Sequence, residues 1–182
     1  MATPLRIDFV SDVACPWCGI GLRSLMKALD AVGDKVDVAI GPTGSGDALG
    51  FTFNYGPQSR IWNTFDAHRL LHWAGLEGRQ LELKEALFKS NFTDQLPTSD
   101  HDVLVGAAKA AGLDEARARE VLTSGEFSDQ VRRDEMLWRN RGINAVPSVV
   151  FNERWMIQGG QPPHVFEQAI RQIVDGSATA AG

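Results

Sequence analysis

The stretch Leu5-Arg6-Ile7-Asp8-Phe9-Val10-Ser11-Asp12-Val13-Ala14-Cys15-Pro16-Trp17-Cys18 decides how this chain is read. Residues 5–10 alternate imperfectly but are rich in β-formers, which predicts a strand, and residues 11–14 lead from it into the cysteine pair as a turn. Pro16 suits the first turn of a helix, where its missing N–H costs nothing. Leu22, Leu25, Met26 and Leu29 then recur at helical spacing as far as Gly33. Cys15 therefore stands at a helix amino terminus. Val36, Val38 and Ile40 alternate with Asp37 and Ala39, which predicts a second strand and completes a βαβ start.

After the second strand, Gly41-Pro42-Thr43-Gly44-Ser45-Gly46 has the composition of a linker. From 57 to 142 the signals are helical. Helices are expected over 63–74 ending at Gly75, over 79–91, and over 100–111 ending at Gly112. Asp114 and Ser128 read as caps for two more, over 115–122 and 129–141, the last stopped by Gly142. Two short β-rich runs, 148–151 and 155–158, then flank Asn152-Glu153-Arg154 as a hairpin. Pro162 and Pro163 open a closing helix whose buried face is Val165, Phe166, Ala169, Ile170 and Ile173. The expected organisation is an α/β domain built from 1–56 and 143–176, an all-helical insertion over 57–142 between the second and third strands, and a loose tail over 177–182.

Composition limits the function. The 182 residues, 43% of them hydrophobic, suffice to bury roughly 70% of the unfolded surface without a disulfide framework or structural metal. A net charge of -5, from 18 basic against 23 acidic residues with no basic run, argues against nucleic acid and anionic membrane as partners. No run of about 20 apolar residues occurs. The amino terminus carries Arg6 and Asp8 among its apolar residues and lacks a secretory pattern, so a cytoplasmic location is expected. Only two cysteines are present, three apart, a spacing for chemistry or metal rather than for a secreted scaffold.

In a helix, residues i and i+3 lie one turn apart on the same face, so the Cys15 and Cys18 sulfurs can bond with little backbone rearrangement. The pair can cycle between dithiol and disulfide. Unpaired backbone N–H groups and the positive end of the helix dipole favour thiolate over thiol at Cys15, while Cys18 is expected to be the more buried partner. The expected activity is thiol–disulfide exchange with protein or small-thiol clients, needing no cofactor beyond the disulfide itself, with glutathione as a candidate co-substrate. The competing reading is a zinc site completed by His68 and His72, four apart on a predicted helix. Against it, the 49 residues between Cys18 and His68 far exceed the roughly 12 to 15 of compact zinc fingers.

Four motifs together resemble the FrnE-like branch of the DsbA family: Phe9-Val10-Ser11-Asp12 leading into Cys15-Pro16-Trp17-Cys18; Ala67-His68-Arg69-Leu70-Leu71-His72-Trp73-Ala74; Gly142-Ile143-Asn144-Ala145-Val146-Pro147; and Gly159-Gly160-Gln161. The resemblance implies a thioredoxin-like fold with a helical insertion and a dithiol–disulfide oxidoreductase activity. It further implies that Pro147 is cis beside the cysteine pair and that the backbone of Val146 pairs with an extended client segment. Pro16 and Trp17 would tune the pair, His68 would hydrogen-bond near the cysteines or steer a client, and Trp17 and Trp62 would form an apolar platform. Trp73 and Phe65 are expected in the core, and Gly159 to Gln161 in a turn before the final helix. Relatives carry a longer segment where this chain has its Gly-rich linker. Two other functions compete: a glutathione-dependent isomerase or transferase, whose members typically have Ser at the position of Cys15, and a chaperone-like surface whose cysteine pair senses redox state.

Overall fold

The computed structural model describes residues 3–33, 36–40 and 60–180, so the expected linker at 41–46 lies outside the described residues. These fall into two compact units. The first contains a four-stranded sheet of order β2-β1-β3-β4, built from β1 (Thr3–Val10), β2 (Val36–Ile40), β3 (Ser148–Phe151) and β4 (Trp155–Gln158). Helix α1 (Pro16–Val32) connects the parallel pair β1 and β2, and β3 pairs antiparallel with both β1 and β4. Register puts Ile7 opposite Phe151 and Phe9 opposite Val149, so these four share one sheet face, and all four are buried. Leu22 and Leu25 of α1, with Phe166 and Ile170 of the closing helix α7 (Pro163–Ala180), are buried in the same unit. This is the thioredoxin-like arrangement, with a helical insertion between the second and third strands.

The β3–β4 hairpin turns through Asn152 and Glu153, both in the left-handed region at φ 49° and 56°. Asn152 anchors the turn to β1: its amide donates to the Arg6 carbonyl at 2.8 Å, and its Oδ1 accepts from the Arg6 N–H at 2.8 Å. Helix α7 departs from expectation by continuing through Ala180, into the stretch read as a loose tail. Ala178 and Ala180 are strong helix formers, and one glycine, Gly176, costs only about 1 kcal/mol inside a helix.

The second unit is helical, with α2 (Phe65–Leu76), α3 (Gln80–Phe88), a π-turn (Lys89–Thr93), α4 (His101–Ala110), α5 (Glu115–Ser124) and α6 (Ser128–Asn140). Asp114 caps α5 as its sequence position suggests, accepting from the Arg117 N–H at 2.7 Å. Ser128 does not cap α6. Gly125 closes α5 at φ 76° and Phe127 is also left-handed at φ 64°, so the chain reverses within three residues and Ser128 already lies in the first turn, its hydroxyl donating to the Gly125 carbonyl at 2.5 Å. Gly142, at φ 83°, follows α6 and lets the chain leave the helix.

A buried cation ties this unit together. Arg69, 3% exposed, donates to the carbonyls of Val121, Leu122 and Glu126 and to Asp66 Oδ1 at 2.6 Å. The first two carbonyls belong to the last turn of α5, where helix geometry leaves such oxygens without partners and favours positive charge. His101 Nε2 sits 3.0 Å from the other Asp66 oxygen. Burial opposes ionisation of Asp66, but His101 and Arg69 outweigh it and hold the carboxyl below its ordinary value.

Candidate active site

The cysteine loop begins where β1 ends. Asp12 organises it: Oδ1 accepts the Ala14 N–H at 2.7 Å, and the Asp12 carbonyl accepts the Cys15 N–H at 3.1 Å. The same carboxylate accepts the Thr64 hydroxyl at 3.0 Å and faces His68 Nε2 at 3.7 Å. The carbonyl of Val13 accepts Asn91 Nδ2 at 3.2 Å. Burial disfavours the charged form of Asp12, yet His68, the Ala14 N–H and Thr64 together hold its carboxyl below the usual value.

Pro16 opens α1, so Cys15 immediately precedes the helix and Cys18 lies in its first turn. Cys15 is half-buried and Cys18 fully buried, as expected for a residue inside the helix. Trp17 between them is 59% exposed. Gly21, one turn beyond Cys18, receives the loop before β3: a methyl built on it would lie 3.1 Å from Pro147 Cγ and 3.4 Å from Gly160 Cα. The Val146–Pro147 peptide is cis, and the Pro147 carbonyl accepts the Gly159 N–H at 2.8 Å. A methyl on Gly160 would lie 3.0 Å from the Trp17 carbonyl oxygen. The first unit thus gathers Trp17, Cys18, Gly21, Pro147 and Gly160 on one side of α1, with Val146 38% exposed beside them.

The histidines diverge. His68 faces Asp12, whereas His72 Nδ1 sits 3.8 Å from Asp134 Oδ2 and its ring packs on Phe127. Among the described residues no group of three or more His, Cys, Asp or Glu side chains could hold a metal ion. Arg69 serves the helical unit's interior, and Trp73, 4% exposed, is core as expected, its indole N–H donating to Glu77 at 3.2 Å. Phe65, expected in the core, is only half-buried, beneath the Arg132 guanidinium at 5.1 Å. Trp62 is half-buried.

Asp12, Thr64 and Asn91 were not singled out from sequence as site residues. Asp12 had a signal in the Ser11-Asp12 motif; Thr64 and Asn91 had none, since their bonds join residues 52 and 78 positions apart.

Among the described residues no helix is long and apolar enough to cross a membrane. No match was found among curated proteins. Solved structures do match. A probable DsbA oxidoreductase from Streptomyces coelicolor is 29% identical, with a TM-score of 0.79 over 94% of this chain and 90% of its own. A putative protein disulfide isomerase from Nitrosomonas europaea shares the fold at 19% identity and a TM-score of 0.74, covering 98% and 100% of the two chains. So does the cytosolic disulfide reductase DsbM of Pseudomonas aeruginosa with GSH, at 16% identity and a TM-score of 0.65 over 93% and 99%. The family described as DSBA-like thioredoxin domain matches residues 6–171. With its cysteine pair at the head of α1, this chain belongs to that family of thiol–disulfide oxidoreductases.

Proposed function

We propose that Cys15 is the exchanging nucleophile and Cys18 the resolving thiol. In the reductive direction the Cys15 thiolate attacks a client disulfide, forming a mixed disulfide and expelling one client thiolate. Cys18 then attacks the Cys15 sulfur, which forms the Cys15–Cys18 bond and releases the second client thiolate, so two electrons pass from the pair to the client. Run backwards, the same steps oxidise a client dithiol. The observation that carries this reading is the contrast between a half-buried Cys15 just before α1 and a fully buried Cys18 one turn into it. A client sulfur has access to the first, and the second is kept for the internal step.

Exposed Trp17 and Val146, next to Pro16 and Pro147, supply an apolar surface for an extended client segment, and His68 acts on the site through Asp12. Clients are protein or small-molecule thiols and disulfides. Glutathione is a suitable small thiol, a choice supported by the similar reductase described with GSH. The four motifs favour the FrnE-like branch, and the similarity to a cytosolic disulfide reductase favours a cytoplasmic setting. A thiol at residue 15 speaks against the isomerase reading, since those relatives typically have Ser there.

The test is dithiothreitol-driven reduction of insulin. Wild-type protein is expected to accelerate it and Cys15→Ser to lose the acceleration. A Cys15→Ser variant that keeps the rate contradicts the nucleophile assignment.

A further inference from the structure

Two places in the helical unit break the local rules of helix construction, and both breaks end on the cysteine loop. Thr64 occupies the N-cap of α2, where a hydroxyl ordinarily accepts a backbone N–H of the first turn, but it makes no capping bond. Its hydroxyl donates to Asp12 instead, at 3.0 Å. The first-turn N–H of Phe65 is taken by Asn63 Oδ1 at 2.9 Å. The second break is the π-turn over Lys89–Thr93, an insertion geometry that recurs at functional sites. It carries Asn91, whose amide reaches the Val13 carbonyl at 3.2 Å. Departures from local preference concentrate where function requires them.

From this convergence we propose that Asp12 is a positioning residue for disulfide exchange, with Thr64, His68 and Asn91 clamping the loop it organises. The proposal rests on Cys15 being the nucleophile. Asp12 binds both backbone N–H groups leading into the helix, those of Ala14 and Cys15, through its carboxylate and its carbonyl. The clamps fix two atoms of the loop: Thr64 and His68 meet at Asp12 Oδ2, and Asn91 holds the Val13 carbonyl. The Cys15 sulfur is thereby set before a client arrives, and the second family motif acquires a task through His68 without touching the client. In-line sulfur exchange depends steeply on approach geometry, and a displacement of about 1 Å can cost on the order of 100-fold in rate.

The experiment measures kcat and KM for insulin reduction in Asp12→Ala, Asp12→Asn, Thr64→Val and the pair Thr64→Val with Asn91→Ala, each checked for a cooperative thermal transition. Asp12→Ala is expected to lower kcat by about 10- to 100-fold with KM within about twofold. Asp12→Asn is expected to recover most of that loss, because its amide oxygen still accepts the Ala14 N–H. Thr64→Val is expected to lose about 3- to 10-fold, and the double variant more. If Asp12→Ala does not fold, the double variant decides in its place. The proposal is overturned if folded variants keep kcat within twofold, if only KM moves, or if kcat falls merely in step with the unfolded fraction. A wild-type rate in Cys15→Ser would overturn the nucleophile reading as well, so the two failures are told apart.

Discussion

Replacing Gly21 by alanine sets two magnitudes against each other. In an exposed helix interior, exchanging glycine for alanine stabilises by about 1 kcal/mol. At Gly21 the new methyl would stand 3.1 Å from Pro147 Cγ and 3.4 Å from Gly160 Cα, closer than packed carbon atoms ordinarily sit. Neither neighbour is the loose end of a long side chain, so relief requires the Pro147 loop to move off α1, and overpacking of this kind costs about 1 to 3 kcal/mol. The two effects leave Gly21→Ala between neutral and about 2 kcal/mol destabilised. Gly106 supplies the internal control: it is exposed in α4 with nothing within 4 Å of its added methyl, so Gly106→Ala is expected to gain about 1 kcal/mol and leave activity unchanged. Urea midpoints and insulin reduction measured on both variants compare them directly. Activity is expected to fall in Gly21→Ala alone, because the displaced loop carries Val146 and Pro147. Equal stabilisation by both substitutions, with activity intact, would refute the packing of Pro147 against α1.

Arg69→Met removes the donor for three carbonyls and Asp66 at once, and is expected to cost about 3 kcal/mol, read as a lowered urea midpoint; an unchanged midpoint would contradict the role of Arg69 as the tie between α2 and α5. Asp66 has its carboxyl held below the ordinary value, so the stability it contributes is present above its unfolded value, near 4, and is lost as pH falls through the depressed folded value. The stability difference between wild type and Asp66→Asn is therefore expected to shrink below about pH 4, and a difference that persists at pH 2 would show that the ionised carboxylate is not its source.

Much of the architecture was legible in the sequence because it rests on local signals. The β-formers of residues 5–10, the alternation at 36–40 and the Asn152-centred turn placed two strands and a hairpin within a residue or two of those observed. Gly33, Gly112 and Gly142 all adopt positive φ near helix ends, the conformation for which glycine is suited. The failures have one physical character. Ser128 has the chemistry of a cap, but the left-handed Phe127 before it had already started the helix, and bulky residues in that region give no local warning. The cysteine pair needed only spacing and a helix start to be found. The clamp on its loop could not be, since Thr64 and Asn91 meet it only once α2 and the π-turn have folded.

The central claim is that Cys15 and Cys18 form one exchangeable two-electron couple. Equilibrating the protein against a series of reduced and oxidised glutathione, trapping with acid and reading intact masses tests it most directly. The account predicts a single transition between dithiol and internal disulfide, with any glutathione adduct confined to Cys15 and accumulating only when Cys18 is replaced by Ser. A protein that never forms the internal bond, or in which the two thiols are glutathionylated independently, would contradict it.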